Sequence, residues 1–314
     1  MKLISPADGK RALRCGSSIA EGSLFRRRAL IIYNPVAGYF PERRLTGVCQ
    51  SLSWLGVEET ICETAYRGDA EAFAAAASEH FDVVVAAGGD GTINEVVNGL
   101  AGSHLPLAII PLGTANVLAA EIDLPRNISA IARTIAAGET RPVHLGVVNG
   151  RRFVMMAGLG FDAHVVANVN RSLKQAVGKF AYVLQTAISA FTFPSRAYRV
   201  TIDGTCREAA SVVIANGRRY GGSYTCAPEA SIEVPEFHIC LFKNSGPLSV
   251  ARYGAALMMG TLHRLPDIEI ARGSHVVVEG PSGEPVQCDG DVYAALPVSA
   301  SIGGDTLNLV MPVT

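Results

Sequence analysis

The sequence predicts an α/β protein, with a doubly wound domain followed by a β-sandwich-like α+β domain. Three observations carry this. Apolar β-branched runs alternate with helical patterns from Ala29 to Ala137. After Arg141 the rhythm changes to many short strands separated by Gly, Pro and Asn turns. At 314 residues the chain is about twice a usual domain, and 49% hydrophobic with 18% charged residues is a globular balance, which excludes a disordered or fibrous protein.

Taken in order, Ala29 to Tyr33 reads as a buried strand, Glu42 to Leu55 as a helix, Glu58 to Glu63 as a strand and Asp69 to Glu79 as an Ala-rich helix. Asp82 to Ala87 is a strand that is apolar on both faces after its first residue. Thr92 to Leu100 follows as a helix, Leu107 to Ile110 as a strand, and Ile128 to Ala137 as a helix closed by Gly138. Such alternation means a parallel sheet covered on both faces. Beyond it, strands are expected at Val143 to Val148, Phe153 to Met156, Tyr198 to Ile202, Ala210 to Ala215, His238 to Phe242, His275 to Glu279 and Leu307 to Val310. Helices interrupt this mostly antiparallel sandwich near Gly178 to Phe191 and Leu248 to Met259. The expected division is a flexible basic leader (1–28), an α/β nucleotide-binding domain (29–142, with 303–314 as a candidate addition) and a sandwich domain (143–302). A cleft between the two domains is the natural place for a ligand.

Composition narrows the function. Lys and Arg number 27 against 28 Asp and Glu, so no general charge draws nucleic acid. The greasiest stretch, Leu107 to Ala120, is broken by Pro111, Gly113 and Asn116 and is too short to span a bilayer. Seven scattered cysteines without a C-x-x-C pair fit neither a disulfide framework nor a zinc site, and read as reduced, small core residues. The start lacks the apolar stretch of a secretory signal, which makes the cytoplasm the default compartment. Residues 1–28 are strongly basic, which suits either a solvated leader or an arm over anionic lipid.

The most informative segment is Gly88-Gly89-Asp90-Gly91-Thr92-Ile93-Asn94-Glu95, directly after a buried strand and opening a helix. Glycines there permit a sharp turn and close backbone approach, and the N–H groups at a helix start favour phosphate. The spacing is neither G-x-G-x-x-G nor a Walker A loop. A second turn, Pro111-Leu112-Gly113-Thr114-Ala115-Asn116, follows the next strand, and the two together form a nucleotide phosphate site. Asn34-Pro35-Val36-Ala37-Gly38 leaves the first strand, and either supplies Asn34 to the same rim or is an ordinary Asn-Pro turn.

In the second domain, Cys288-Asp289-Gly290-Asp291 sets two carboxylates around one glycine. An exposed turn is the plainer reading, and a cleft carboxylate tuned as a general base is the other. Asn216-Gly217-Arg218-Arg219-Tyr220-Gly221-Gly222 is a polar turn that either lines a cleft or serves loop geometry alone. The seven histidines show no metal-ligand spacing, and no G-x-S-x-G elbow is present.

With these pieces in view, the sequence resembles the bacterial lipid kinases of the diacylglycerol kinase catalytic-domain type, relatives of sphingosine kinases and more distantly of NAD kinases. The carrying segments are N-P-V-A-G at Asn34, E-T-A-Y-R-G-D-A at Glu63, G-G-D-G-T-I-N-E-V-V-N-G-L at Gly88, and P-L-G-T-A-N at Pro111. G-L-G-F-D at Gly158, N-G-R-R-Y-G-G at Asn216 and C-D-G-D at Cys288, in place of the family's D-G-E, complete them. The resemblance spans about Ala29 to Pro312 and implies a last strand near Leu307 to Val310 returning toward the first domain.

It further implies ATP bound by Asn34, Thr64, Gly88, Gly89, Asp90, Gly91, Thr92, Ile93, Asn94, Glu95, Gly113, Thr114 and Asn116. Asp90 organises magnesium and phosphate, and Asp291 is the base acting on a lipid hydroxyl. Asp for Glu shortens that reach by about one methylene. Two departures touch the metal: Val117 stands where the family has Asp after G-T-A-N, and Val234-Pro235 replaces the Asp-Gly of a structural magnesium site. That second site is not carried over, and the protein ligands of Mg2+ stay unassigned, with ATP supplying oxygens. The expected partners are a lipid substrate and a transient membrane surface, with pairing to a second copy of the chain left open by the sequence, and the expected place is the cytoplasm or the periphery of the inner membrane. An NAD kinase-like enzyme and a sensor of nucleotide or lipid that has lost turnover stand as alternatives.

Overall fold

The computed structural model describes residues 3–4, 27–38, 41–78, 80–168 and 196–312. The basic leader, apart from residues 3–4 and 27–28, and the helix expected over Gly178 to Phe191 lie outside the described residues. The chain forms two compact units: Met1–Gly113 with Asp123–Arg141 and Asn308–Thr314, and Thr114–Ile122 with Pro142–Leu307.

In the first unit, β1 (Leu3–Ile4), β2 (Arg28–Tyr33), β3 (Glu58–Glu63), β4 (Val83–Gly88) and β5 (Leu107–Pro111) form a parallel sheet in the order β1-β3-β2-β4-β5. Its helices are α1 (Pro41–Trp54), α2 (Asp69–Ala75) and α3 (Asp90–Gly99). The short α4 (Val117–Glu121) groups with the second unit, and α5 (Ile128–Ala137) returns to the first. All six residues of β4 are buried, as the apolar run requires of a strand covered on both faces. The α1 helix packs on α5, and α2 packs on α3. Asn127 caps α5 by accepting from the Ala130 N–H at 2.7 Å, and Gly138 ends it in the left-handed region (φ 64°). The strand order reverses between β2 and β4: β3 lies on one side of β2, and the chain then crosses to the other side for β4 and β5. Ligands of open α/β sheets bind outside the carboxyl ends of the strands at such a reversal.

The second unit holds β6 (Thr140–Val148), β7 (Arg151–Phe153), β8 (Met156–Leu159), α6 (Phe161–Asn168), β9 (Tyr198–Ile202), β10 (Thr205–Ala209), β11 (Ser211–Ala215), β12 (Arg219–Tyr220), β13 (Tyr224–Thr225) and β14 (Phe237–Phe242). It continues with α7 (Pro247–Met258), β15 (Ile268–Gly273), β16 (His275–Glu279), β17 (Pro285–Cys288), β18 (Asp291–Ala295) and β19 (Val298–Val310). One antiparallel sheet runs β15-β14-β11-β8-β17-β18, and another set runs β19-β16-β9-β10. Phe153, Leu159, Tyr198, Val212, Ile239, Val276 and Val298 share one core drawn from both sets, the arrangement of a β-sandwich. The end of β19 leaves this unit, and Leu309 pairs in parallel with Leu107 of β5.

Several elements depart from the sequence expectation for local reasons. The helix expected from Thr92 starts at Asp90, because Gly89 is already the extended residue before it (φ −95°, ψ −173°). The single strand expected at Phe153 to Met156 is two, β7 and β8, since the N–H groups of Val154, Met155 and Met156 bond the Asp289 carboxylate. Cys49, Cys62, Cys226, Cys240 and Cys288 are buried free thiols, but Cys206 is exposed on β10, so the reading of every cysteine as a core residue is corrected there. Among the described residues no helix is long and apolar enough to cross a membrane.

Candidate functional site

At the carboxyl ends of β2, β4 and β5 three turns converge within the first unit. The Asn34 Nδ2 donates to the Thr92 Oγ1 at 3.0 Å, while its Oδ1 accepts from the Val36 N–H at 3.1 Å. The residue thus shapes its own turn and also reaches the start of α3. Gly38 (φ 67°) lies against Leu112, where a Cβ would come within 1.9 Å of the carbonyl oxygen. A Cβ on Gly88 would meet the Thr92 side chain at 2.4 Å, and one on Gly89 would stand 3.3 Å from the Gly113 Cα. Neither Gly88, Gly89 nor Gly91 has a positive φ. Gly88 and Gly89 are there for close approach, not for a left-handed turn, whereas Gly38 serves both.

Thr64 follows β3, and its N–H donates to the Tyr33 carbonyl at 2.8 Å, placing it beside the tip of β2. The Asp69 carboxylate pins the turn after it by accepting from the N–H groups of Ala65 and Tyr66, each at 2.8 Å. Thr92, Ile93 (2% exposed) and Asn94 (1%) are buried, which leaves Asp90 and Gly91 as the partly exposed start of α3. That turn has N–H groups without intrahelical acceptors and carries the positive end of the helix dipole. Small residues at a helix N-terminus suit a polyphosphate. A protein cage for a cation does not form: among the described residues no group of three or more His, Cys, Asp or Glu side chains could hold a metal. The residues present therefore fit the nucleotide, and Asp90, the first residue of α3, is the carboxylate there that would meet a cation carried by the phosphates rather than caged by protein.

Thr114 and Asn116 belong with the second unit. Asn116 takes a left-handed conformation (φ 49°) before α4, and Val117 is buried as the first residue of that helix. Glu121, at the end of α4, is buried and is held by the second unit's polar turn. The Arg218 Nε donates to it at 3.2 Å and the Arg219 N–H at 3.0 Å. Asn216, fully buried, donates to the carbonyls of His144 (2.8 Å) and Val154 (2.6 Å). The polar turn after β11 is thus a structural clasp.

The two aspartates of the C-D-G-D segment have opposite surroundings. Asp289 and Gly290 form a two-residue hairpin turn, both at positive φ (49° and 89°), between β17 and β18. Asp289 is buried and accepts from three backbone N–H groups, of Val154 (2.8 Å), Met155 (2.8 Å) and Met156 (3.1 Å). Asp291, the first residue of β18, is partly exposed, and no described residue holds its carboxylate by a hydrogen bond or ion pair. Asp289 is committed to the fold, and Asp291 is not held in that way by any described residue.

Sequence reasoning missed a cluster beside this hairpin. Asp162, at the start of α6, accepts from the Tyr220 hydroxyl and from the Gln287 Nε2 (2.7 Å). Burial raises its carboxyl pKa, and the two hydrogen bonds pull it back. The only sequence signal was G-L-G-F-D: a Cβ on Gly158 would sit 1.6 Å from the Asp162 Oδ2, so that glycine is the space the carboxylate occupies.

The Diacylglycerol kinase catalytic domain matches residues 28–148, and the YegS C-terminal NAD kinase beta sandwich-like domain matches residues 155–311. A diacylglycerol kinase of Bacillus subtilis (strain 168) is 31% identical over 278 residues, covering 86% of this chain and 92% of that one. A diacylglycerol kinase of Staphylococcus aureus (strain Newman) is 28% identical over 280 residues, covering 87% and 89%. A crystal structure of a diacylglycerol kinase from Bacillus anthracis str. Sterne superposes with a TM-score of 0.75 at 25% identity, covering 92% and 98%. Two domain matches in succession, and a relative aligned over most of both chains, agree with the fold and its glycine tips: the chain belongs to the diacylglycerol kinase family of lipid kinases.

Proposed function

We propose that the protein transfers the γ-phosphoryl group of ATP to the hydroxyl of a membrane lipid, diacylglycerol or a sphingoid-like amphiphile. The observation that carries this is the convergence of Asn34, Gly88, Gly89 and Gly113 at the strand-order reversal, where glycines let one tip lie against the next beside the N-terminus of α3. The names of the relatives favour diacylglycerol.

Phosphoryl transfer through a loose transition state asks for placed oxygens and neutralised charge rather than covalent help. In this reading the backbone at Gly88 to Thr92 holds the phosphates, Thr64 and Thr114 flank the nucleotide, and Asp90 orients the metal that accompanies it. The magnesium supplies charge neutralisation on the phosphate oxygens when bound. Asp291 takes the proton of the lipid hydroxyl while that oxygen bonds the γ-phosphorus and the bond to the β,γ-bridging oxygen breaks, releasing ADP. The lipid enters from a bilayer surface, at which the protein docks transiently.

The test is a lipid extract incubated with the protein and radiolabelled ATP, then resolved by polarity. Labelled phosphatidic acid is the expected product. Asp291→Asn should keep ATP affinity and lose transfer by at least ~10²-fold, as for removal of a general base; retained turnover removes Asp291 from that role. A second reading, a sensor without turnover, is favoured by the buried Val117 where the family carries Asp. Tight ATP binding by calorimetry without labelled lipid would select it.

A further inference from the structure

We infer that Asp162 and Gln287 are positioning residues for Asp291, acting through the backbone of the hairpin that carries it. The inference rests on the reading of Asp291 as the base. The Gln287 side chain is 2% exposed and its amide is used at both ends. Its Nε2 donates to the Asp162 Oδ2 at 2.7 Å, and its Oε1 accepts from the Gly290 N–H at 2.7 Å. Asp162 in turn holds the Tyr220 hydroxyl, so an unbroken chain of hydrogen bonds runs from β12 through α6 and β17 to the turn. Asp289 pins the preceding residue of the same turn by its three N–H contacts. Both turn residues are therefore fixed, while the carboxylate that follows them makes no such contact among the described residues.

This division has a chemical purpose. A base that is tied by its own hydrogen bonds must break them to react, whereas a base fixed only through its backbone keeps its lone pairs and still loses little freedom on reaching the acceptor. Gln suits the middle of the chain because it carries a donor and an acceptor on one rigid amide. A carboxylate there would face Asp162 with like charge.

The chain also distinguishes positioning from chemistry at Asp162. Asn can replace Asp without losing either partner: its oxygen accepts from the Gln287 Nε2, and its amide donates to the Tyr220 oxygen, which accepts as readily as it donates. Steady-state kinetics with ATP and dispersed diacylglycerol should then show Asp162→Ala and Gln287→Leu lowering kcat at least ~10-fold, with KM for ATP and ATP-binding stoichiometry within about two-fold of the native chain. Asp162→Asn should restore kcat to within about three-fold. An Asn variant as impaired as the Ala variant overturns the inference, because Asp162 would then be needed as an acid. So does native kcat in Gln287→Leu, or a loss of kcat matched by a loss of binding stoichiometry, which marks general misfolding. Asp291→Asn assayed beside them separates the levels: if it turns over normally, the reading of the base fails, and the positioning inference fails with it for that separate reason.

Discussion

The glycine tips of the first unit and the acidic hairpin of the second solve the same problem, holding polar groups still, by opposite means. At Gly88, Gly89 and Gly38 the structure works by leaving side chains out, so that neighbouring tips touch. Around Asp289 and Gln287 it works by putting side chains in, each polar atom saturated by a partner. The first design tolerates no added atom, and the second tolerates no missing one. That predicts different damage on mutation.

The largest effect is expected at Asp289. Asp289→Ala leaves three buried N–H groups without an acceptor and places Ala at positive φ, costing about 3 kcal/mol or more. Thermal unfolding should drop by roughly 6 °C or more, and if it does not, the hairpin is not anchored as described. Next comes Gly88→Ala, whose methyl collides with the Thr92 side chain. A cost of about 1–3 kcal/mol is expected, together with weaker ATP binding in calorimetry; unchanged affinity would separate this tip from the nucleotide. Asn34→Ala removes one side-chain bond to Thr92 and should cost only about 1 kcal/mol, read by denaturant midpoint.

The smallest effect is a pH dependence. Burial holds the Asp162 carboxyl above its ordinary range, so the folded chain binds that proton more tightly than the unfolded chain. The group therefore costs stability above its raised folded pKa, and the cost is relieved as pH falls through that value toward the unfolded one near about 4. Asp162→Asn should gain on the native chain as pH rises, with the two melting temperatures drawing together in acid. A gap that widens in acid reverses the sign and refutes the assignment.

The two designs also explain what the sequence could show. Close backbone approach writes itself locally: glycines just after a buried strand, paired at Gly88-Gly89 and single at Gly113, advertise a tip where little else fits. Polar anchoring is written across distance. Asp162 and Gln287 are 125 positions apart, and nothing at either position announces the other. C-D-G-D showed two acids and a glycine, but only the course of β7 and β8 decides that one acid turns inward to their N–H groups and the other does not. The same cause divided a strand expected to be continuous. The start of α3 shifted by two residues for a smaller reason, since an extended glycine serves as a cap without the side-chain oxygen by which caps are recognised.

The strand that closes the first unit has a consequence for how the protein is made. Leu107 waits for Leu309, about two hundred residues later in synthesis. Until then a ribosome-bound chain presents β5 as an open hydrogen-bonding edge of an otherwise assembled parallel sheet, the kind of border to which foreign strands adhere. Nascent protein halted before Val298 should therefore depend on chaperones and clump without them, whereas the finished polypeptide seals its own border.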